Sequence, residues 1–382
     1  VRFDHPSDLL QNALTAITPY HFSGRAAAIA WEKPFPFSFR MTTYGESYHE
    51  NSRRVVPPDG ADTARSSDRP FAFDEEVYPG GWTDLTTFMT PEFALGSAAK
   101  PYVNAGHSDS VMLRIRRSDE IKSLSDFRSA FTRGVYNGAL PGVPNSCHTS
   151  SSDVDASYLS EEGRCATYQH ENRLIVSYSP KRTGHKGIKS FRTDFIFSYA
   201  APFDVITVDG RPVTTFPVQL RTGSRICIRD GRTFILLMPL EPVPAGGNSP
   251  LHLSVQKDFF LISTYNYDGP AKDFTRDEVN NWSSGFFLEV WTEDQFGDWG
   301  EFLKHARSVN VEATVESKIR RIVARSKDIV MEFLYDPFRE HILSRRWCGM
   351  EDEITHMEVS AAGVSEGPFC PRTLFGSEEL NR

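Results

Sequence analysis

This sequence has few cysteines, and none of them has a metal-binding spacing. Five cysteines occur in 382 residues and no CxxC pair is present, so a zinc cluster is not expected. The chain also has no excess of positive charge. Its formal net charge is −8, which argues against a nucleic-acid partner because phosphate binding requires a basic surface. No apolar run approaches the roughly 18 residues that span a membrane, so no membrane partner is expected.

The common catalytic signatures are missing as well. The sequence contains no glycine-rich phosphate loop, no nucleophile elbow and no HExxH motif, which disfavours nucleotide-dependent enzymes and serine hydrolases. No cofactor and no metal are expected. There is also no repeat of fixed period and no low-complexity segment. Clues to function must therefore come from local clusters of side chains.

Strand patterns are what the sequence has in abundance. Residues 191–199 place Phe191, Phe195 and Phe197 on one face and Arg192 and Asp194 on the other, which is the period of two that predicts a strand. Further strands are predicted within 26–44, 82–97, 111–115, 174–178, 251–267, 285–292 and 329–335.

Two Asp-Gly steps lie between apolar runs. Asp209-Gly210 separates residues 205–208 from 213–216, and Asp230-Gly231 separates 226–228 from 234–238. Each step predicts a type I′ hairpin turn, because both central residues of that turn need positive φ.

Helical patterns are few. We predict a helix over 6–17 within a leading helical segment, 1–25, and a short helix over 123–133. The clearest helix spans 299–309, where Asp298 and Glu301 have the spacing of a capping box. Residues 26–382 are therefore predicted to form one large antiparallel β-sandwich, all-β and supersandwich-like, with a few short helices. Its long loops are predicted at 46–73 and 138–163.

The cysteines and the first residue bear on the compartment. Two disulfides with one buried free thiol, or five reduced thiols, are equally compatible with the spacing. The chain begins at Val1, so we expect a processed product or part of a longer chain, secreted or periplasmic. The five cysteines are Cys147, Cys165, Cys227, Cys348 and Cys370.

Two short stretches carry a family resemblance. Residues 86–97, TTFMTPEFALGS, followed by 106–109, GHSD, resemble a stretch in the β-sandwich half of toroid-plus-sandwich carbohydrate-active proteins. The heparinase II/III-like polysaccharide lyases are the best-known group. The similarity covers most of the chain in architecture and about a dozen residues in sequence. The His-x-His-x-Asp pattern that often opens their sandwich is absent here, so a metal site of that type is not expected.

The resemblance implies a chemistry. In such lyases a base removes the proton next to a uronate carboxylate while a cation or amide neutralises that carboxylate. Tyrosine and histidine are common bases, with arginine or asparagine alongside. The resemblance also implies a helical toroid domain or subunit as a partner. The short leading helix could be the tail of such a toroid, and the catalytic toroid itself is not in this sequence.

Three places offer suitable side chains. Tyr44, Glu46 and His49 lie in a polar, aromatic cluster after a strand, with a solvated loop as the alternative. His107 with Arg114 could bind an acidic sugar, the alternative being a loop histidine bonded to its neighbour.

Tyr168 and His170 would share one face of a strand, the alternative being a histidine at the edge of the core. The candidate catalytic residues are His49, His107, Tyr44, Tyr168 and His170, and the candidate substrate-binding residues are Arg114, Glu46 and Trp82.

Carboxylate runs and tryptophans give weaker signals. Residues 74–76, 161–162 and 351–353 are acidic and could supply the carboxylate pair of a glycosidase, but a solvated surface is the expected role. Trp82 and Trp282 could stack on sugar rings, whereas Trp291 and Trp299 are expected in the core.

The predicted function is that of a carbohydrate-active protein, a polysaccharide lyase or glycoside hydrolase acting on an acidic glycan. The alternative is a non-catalytic carbohydrate-binding, structural or assembly β-sandwich. A polysaccharide or oligosaccharide is the expected partner, and homo-oligomerisation is a further option.

Overall fold

The fold is all-β, as predicted. The computed structural model describes residues 35–44, 82–99, 110–117, 126–137, 165–180, 184–199, 201–243, 251–256, 259–326, 329–337, 341–354, 357–361 and 364–369. Strands account for 67% and helices for 9%, in three antiparallel sheets with three helices among these residues.

The strands follow one another with few interruptions. In the first half they are β1 Phe37–Tyr44, β2 Trp82–Met89, β3 Phe93–Ala98, β4 Val111–Arg116, β5 Phe127–Tyr136, β6 Cys165–His170, β7 Arg173–Tyr178, β8 His185–Ser198, β9 Val205–Val208, β10 Arg211–Pro212, β11 Val218–Leu220, β12 Ile226–Asp230 and β13 Thr233–Pro239. The remaining strands are β14 Leu251–Gln256, β15 Phe259–Phe274, β16 Ser284–Thr292, β17 Asn310–Glu316, β18 Ile319–Ser326, β19 Ile329–Asp336, β20 His341–Trp347, β21 Met350–Glu351, β22 Met357–Ala361 and β23 Val364–Phe369. The helices are α1 Arg276–Val279, α2 Glu293–Phe296 and α3 Trp299–Ser308.

Three sheets result from this order. The first sheet has eleven strands in the spatial order β11-β14-β15-β8-β5-β4-β3-β2-β1-β22-β23. The second has seven strands, β10-β9-β12-β13-β16-β7-β6, and the third has five, β17-β18-β19-β20-β21. Long-range pairs such as β5 with β8 join segments that are distant along the chain.

The second sheet is the middle layer and is buried on both faces. Phe286, Leu288 and Val290 of β16 enter the core shared with the first sheet, called the first core. Phe287 enters the core shared with the third sheet, called the second core. All seven residues of β13 are buried. A strand buried on both faces needs a nearly continuous apolar run, which is what residues 234–238 provide.

The helix α3 packs on the face of the middle sheet that borders the second core. Phe302 and Ala306 lie in the second core, and the Asp298 side chain accepts a hydrogen bond from the Glu301 amide. The predicted helix and its cap are thus confirmed. A capping box would also need a hydrogen bond from the Asp298 amide to the Glu301 carboxylate, but that carboxylate pairs with Lys304 instead.

At the other end of α3, the chain supplies a second cap. The Arg225 guanidinium donates to the carbonyls of Ala306 and Val309 at 3.0 and 2.7 Å. A cation at the carboxyl end of a helix satisfies the last carbonyls and complements the helix dipole.

The period of two over residues 191–197 of β8 is confirmed, and both faces of the strand are buried there. Phe191, Phe195 and Phe197 enter the first core. On the opposite face Arg192 pairs with Asp194 at 2.9 Å, and both side chains are buried. Buried charged groups are normally paired with a group of opposite charge.

The predicted helix over 123–133 is wrong. Phe127–Tyr136 is strand β5, paired with β4 and β8. Ala130 faces the first core and Phe131 the opposite face, where it is also buried. Two buried faces remove the alternation that marks a strand, and the apolar spacing of 127, 130 and 131 then imitates a helix.

One of the two Asp-Gly turns is confirmed. Asp209 and Gly210 have φ values of 52° and 78°, as a type I′ turn requires. In the second hairpin Asp230 pairs with Thr233, so the central residues are Gly231 and Arg232. Only Gly231 has positive φ, at 60°, which fits type II′ and corrects the prediction. Residues 213–216 also do not form a strand.

Several other predictions concern segments beyond the described residues. These are the helix at 6–17 with its segment 1–25, the loops at 46–73 and 138–163, and the disulfides of Cys147 and Cys370. Cys227 is a buried free thiol, and burial raises the pKa of that thiol to about 12. None of the helices in the described part of the chain is long and apolar enough to cross a membrane.

Candidate functional site

Side chains from all three sheets meet at one carboxylate, that of Asp352. Tyr168 and His170 lie two residues apart on β6 and face the same side, as predicted. Arg40 reaches it from β1 in the first sheet. Asp352 itself follows β21 of the third sheet. Together with Trp347, these four residues are called the Asp352 cluster.

The two oxygens of Asp352 divide these partners between them. Oδ2 accepts from the Tyr168 hydroxyl at 2.7 Å and lies 3.0 Å from His170 Nδ1. Oδ1 accepts from Arg40 Nη2 at 2.6 Å. Arg40 is also within 3.4 Å of Glu358. The cluster therefore joins three layers of the fold at a single charged group.

The partners decide the protonation state of Asp352. Burial to 9% exposure would by itself raise the pKa of this carboxyl, but the hydrogen bond from His170 and the charge of Arg40 outweigh burial and hold the pKa well below its usual range. Burial and the nearby Asp352 charge raise the pKa of Tyr168 far above its ordinary value. Tyr168 therefore stays a hydrogen-bond donor.

The ionised Asp352 fixes the tautomer of His170. A carboxylate can only accept hydrogen bonds, so the proton of the neutral ring lies on Nδ1. Nε2 then carries the lone pair and can act as a base. No described residue forms a hydrogen bond with Nε2, and 21% of the side chain is exposed.

The His170 ring is also held by stacking. It lies on Trp347 with a centroid separation of 3.7 Å and an angle of 11°. The guanidinium of Arg173 lies 5.6 Å from the centroid of the Trp347 ring and 4.6 Å from that of the Trp291 ring. The stacking of His170 on Trp347 limits rotation of the imidazole.

Arg173 leads to a second carboxylate, Glu289. Glu289 accepts from Arg173 Nε at 3.1 Å and from Trp291 Nε1 at 3.1 Å, and it lies 2.6 Å from His305 Nε2. Its side chain is 0% exposed. Burial would raise the pKa of Glu289, but His305 and the charge of Arg173 outweigh burial and lower it. Glu289 with these three partners is called the Glu289 cluster.

The structure describes only some of the other predicted site residues. Tyr44 and Trp82 are directly opposite each other in the β1–β2 ladder, so their backbones are neighbours. Arg114 is 6% exposed on β4, with its guanidinium 5.6 Å from the Phe127 ring. Glu46, His49 and His107 lie outside the described residues. The catalytic or binding roles of all these residues remain predictions.

Three members of the site, Asp352, Arg40 and Trp347, were not predicted from the sequence. Asp352 belongs to an acidic run that was expected to be solvated, and that expectation holds for Glu351 and Glu353 but is wrong for Asp352. Arg40 and Trp347 were not singled out. No local signal distinguishes Asp352, because its neighbours Glu351 and Glu353 are acidic as well.

Two further expectations can be compared with the structure. Trp282 is buried in the first core and cannot stack on a sugar, so that suggestion is wrong. Trp291 and Trp299 pack against the second core, as predicted. In the described part of the chain, no group of three or more His, Cys, Asp or Glu side chains is arranged to hold a metal.

Comparison with known proteins adds nothing to this geometry. No protein family, no curated protein and no solved structure matches the chain.

Proposed function

We propose that this chain is the β-sandwich part of a carbohydrate-active protein that acts on an acidic glycan, with His170 as its general base. The observation that supports the proposal is the environment of His170. Its Nδ1 is bonded to an ionised carboxylate, its ring is stacked on Trp347, and part of the side chain is exposed.

This arrangement suits proton abstraction. Asp352 stabilises the imidazolium that forms when Nε2 takes a proton, and Trp347 keeps the ring in one orientation. In an elimination the proton leaves the carbon next to the uronate carboxylate. Its electron pair then forms a carbon–carbon double bond, and the glycosidic carbon–oxygen bond breaks. The leaving oxygen takes its proton from solvent.

Lyase chemistry fits these residues better than hydrolysis. A glycosidase needs two carboxyl groups facing the substrate about 5–10 Å apart. Asp352 and Glu289 are each surrounded by three protein partners, and Glu289 is fully buried. An elimination needs one base, His170, and does not require Asp352 or Glu289 to contact the substrate. The helical toroid partner and a secreted or periplasmic location form part of the same proposal.

The test is turnover of a panel of uronate-containing polysaccharides, with and without a helical toroid partner, followed by the ultraviolet absorbance of the unsaturated product. His170→Ala should lower turnover by about 100-fold or more. Asp352→Asn should lower it as well, because the amide can donate to Nδ1 and favour the wrong tautomer. His341→Ala, at an exposed histidine of β20, is the matched control and should leave turnover unchanged.

A non-catalytic sandwich is the second candidate. It is favoured by the completeness of the Asp352 cluster, in which both carboxylate oxygens are bonded to groups from other sheets. Such a cluster could serve only to join three layers. If the wild type cleaves no glycan under any of these conditions, this second function replaces the first.

A further inference from the structure

The third sheet has one long edge strand that is unpaired in the described part of the chain. That strand is β17. All seven of its residues pair with β18 in continuous register, and no backbone hydrogen bond joins residues 310–316 to a described residue outside β18. Every second residue of the strand therefore points its N–H and C=O groups away from the sheet.

The other edge strands of the three sheets are short or protected. β10 and β21 have two residues each, and β11 has three. β6 is covered by the first sheet, because the Thr167 amide donates to the carbonyl of Ala99 at 2.9 Å. β23 includes Pro368, which has no N–H to donate. A long, regular edge such as β17 is instead a template for pairing with another chain.

The core-facing side of β17 is incompletely covered. Val311 and Ala313 pack against the second core but are only partly buried. The residues directly opposite them on β18, Ala324 and Ile322, are 3% and 0% exposed. A groove of about 330 Å³ lies beside residues 311–314, so there is space against this edge. A further strand placed there would bury the apolar side chains of β17.

The sequence of β17 is complementary to itself in one antiparallel register. A two-fold axis at Ala313 places that residue opposite its own copy. On the exposed face, Glu312 of one strand is then opposite Thr314 of the other, and Asn310 is opposite Glu316. No two carboxylates are directly opposed, and each one has a neutral polar side chain across from it.

The neighbouring registers are unfavourable. An axis at Glu312 would oppose the two copies of that carboxylate, and an axis at Thr314 would oppose Glu312 and Glu316. Like charges directly opposite each other destabilise a pair of strands. A shift by one residue would place exposed side chains of one strand opposite core-facing side chains of the other. The charges of β17 therefore select the register centred on Ala313.

We propose that β17 pairs with β17 of a second copy of this chain, so that the two third sheets form one continuous antiparallel sheet across a two-fold axis at Ala313. On the core side, Val311 of each copy then lies opposite Val315 of the other, which extends both second cores across the interface. The partner is a second copy because one register satisfies the exposed charges and the apolar face together. This inference rests on the β17 edge and is independent of the proposed function.

Cysteine cross-linking of the full chain tests this register. All variants carry Cys348→Ser, because the Cys348 thiol is exposed. Directly opposed residues of an antiparallel pair have Cα atoms about 4.5–5.5 Å apart, within the range of a disulfide. A mixture of Glu312→Cys and Thr314→Cys chains should therefore form a covalent dimer under mild oxidation. Either variant alone should cross-link about tenfold more slowly or less, since identical positions are then about 8 Å apart.

Analytical ultracentrifugation measures the strength of the association. The Thr314 side chain is exposed, so its charge can be changed without disturbing the core. Thr314→Glu puts a carboxylate opposite Glu312 twice in the dimer and should weaken association about fivefold, whereas Thr314→Lys should strengthen it by a similar factor. His341→Glu adds the same charge to exposed β20 of the third sheet and should leave the dissociation constant unchanged.

Three results would overturn the proposal. The first is a chain that sediments as a monomer at every concentration and gives no covalent dimer in the mixture of cysteine variants. The second is Glu312→Cys cross-linking with itself as fast as with Thr314→Cys, which would indicate another register or random encounters. The third is an equal dissociation constant for Thr314→Glu and Thr314→Lys, which would place the dimer contact elsewhere on the surface.

Discussion

The Asp352 and Glu289 clusters contain similar groups in different surroundings. Each carboxylate holds one histidine and one arginine, and each has a lowered pKa for the same reasons. Glu289 is 0% exposed, whereas Asp352 is 9% exposed and its histidine, His170, reaches solvent.

The difference shows how position in the layers separates a structural group from a candidate functional one. Glu289 lies on β16 in the middle sheet, and its histidine, His305, comes from α3, which covers that face. Asp352 lies where the three sheets meet, and there no described residue forms a hydrogen bond with Nε2 of His170, whose side chain is 21% exposed. The same chemical groups therefore stabilise a joint in one place and present a base in the other.

The largest effect should come from removing the buried carboxylate. Glu289→Ala leaves the charged Arg173 and the ring nitrogens of His305 and Trp291 without their acceptor, and we expect a loss of about 3–5 kcal/mol in the free energy of unfolding. Urea denaturation measures this loss. Glu351→Ala removes an exposed carboxylate beside Asp352, bonded to Arg346 and Ser344 at the surface, and should have a much smaller effect. A small effect of Glu289→Ala would show that water reaches this cluster.

The next largest difference should be between the stability losses caused by replacing the two histidines, His305 and His170. His305→Ala opens a buried cavity and removes a partner of Glu289, so we expect a loss of about 2–3 kcal/mol. His170→Ala should cost less than about 1 kcal/mol, since Asp352 keeps Tyr168 and Arg40. Its main effect should be on turnover. Equal losses of stability in the two variants would contradict the distinction between a structural and a functional histidine.

Acidification should remove the stabilisation by these two carboxylates gradually. Asp352 and Glu289 have lowered pKa values in the folded state, so their stabilisation is complete above the ordinary carboxyl pKa of about 4. It is lost as the pH falls toward the folded values, by at most about 1.4 kcal/mol per pH unit for each group.

Asp352→Asn removes one of these two contributions. The free energies of unfolding of wild type and variant should therefore converge as the pH falls from about 5 to about 2. Parallel curves over this range would show that Asp352 titrates normally.

Much of this fold could be predicted from local patterns. The alternation in β8, the Asp209-Gly210 turn and the α3 helix are confirmed, because period, turn chemistry and capping act over a few residues. The shared face of Tyr168 and His170 also follows from local geometry. The prediction failed at β5, where both faces are buried and the alternation disappears.

The sequence by itself determined the all-β class and placed two members of the site on one strand face. Only the tertiary structure decided that Asp352 is their partner. That carboxylate lies 182 residues after His170 and 312 after Arg40, and its neighbours in the chain, Glu351 and Glu353, are exposed. Local sequence patterns report which face a side chain takes, but contacts between distant segments depend on how the three sheets stack.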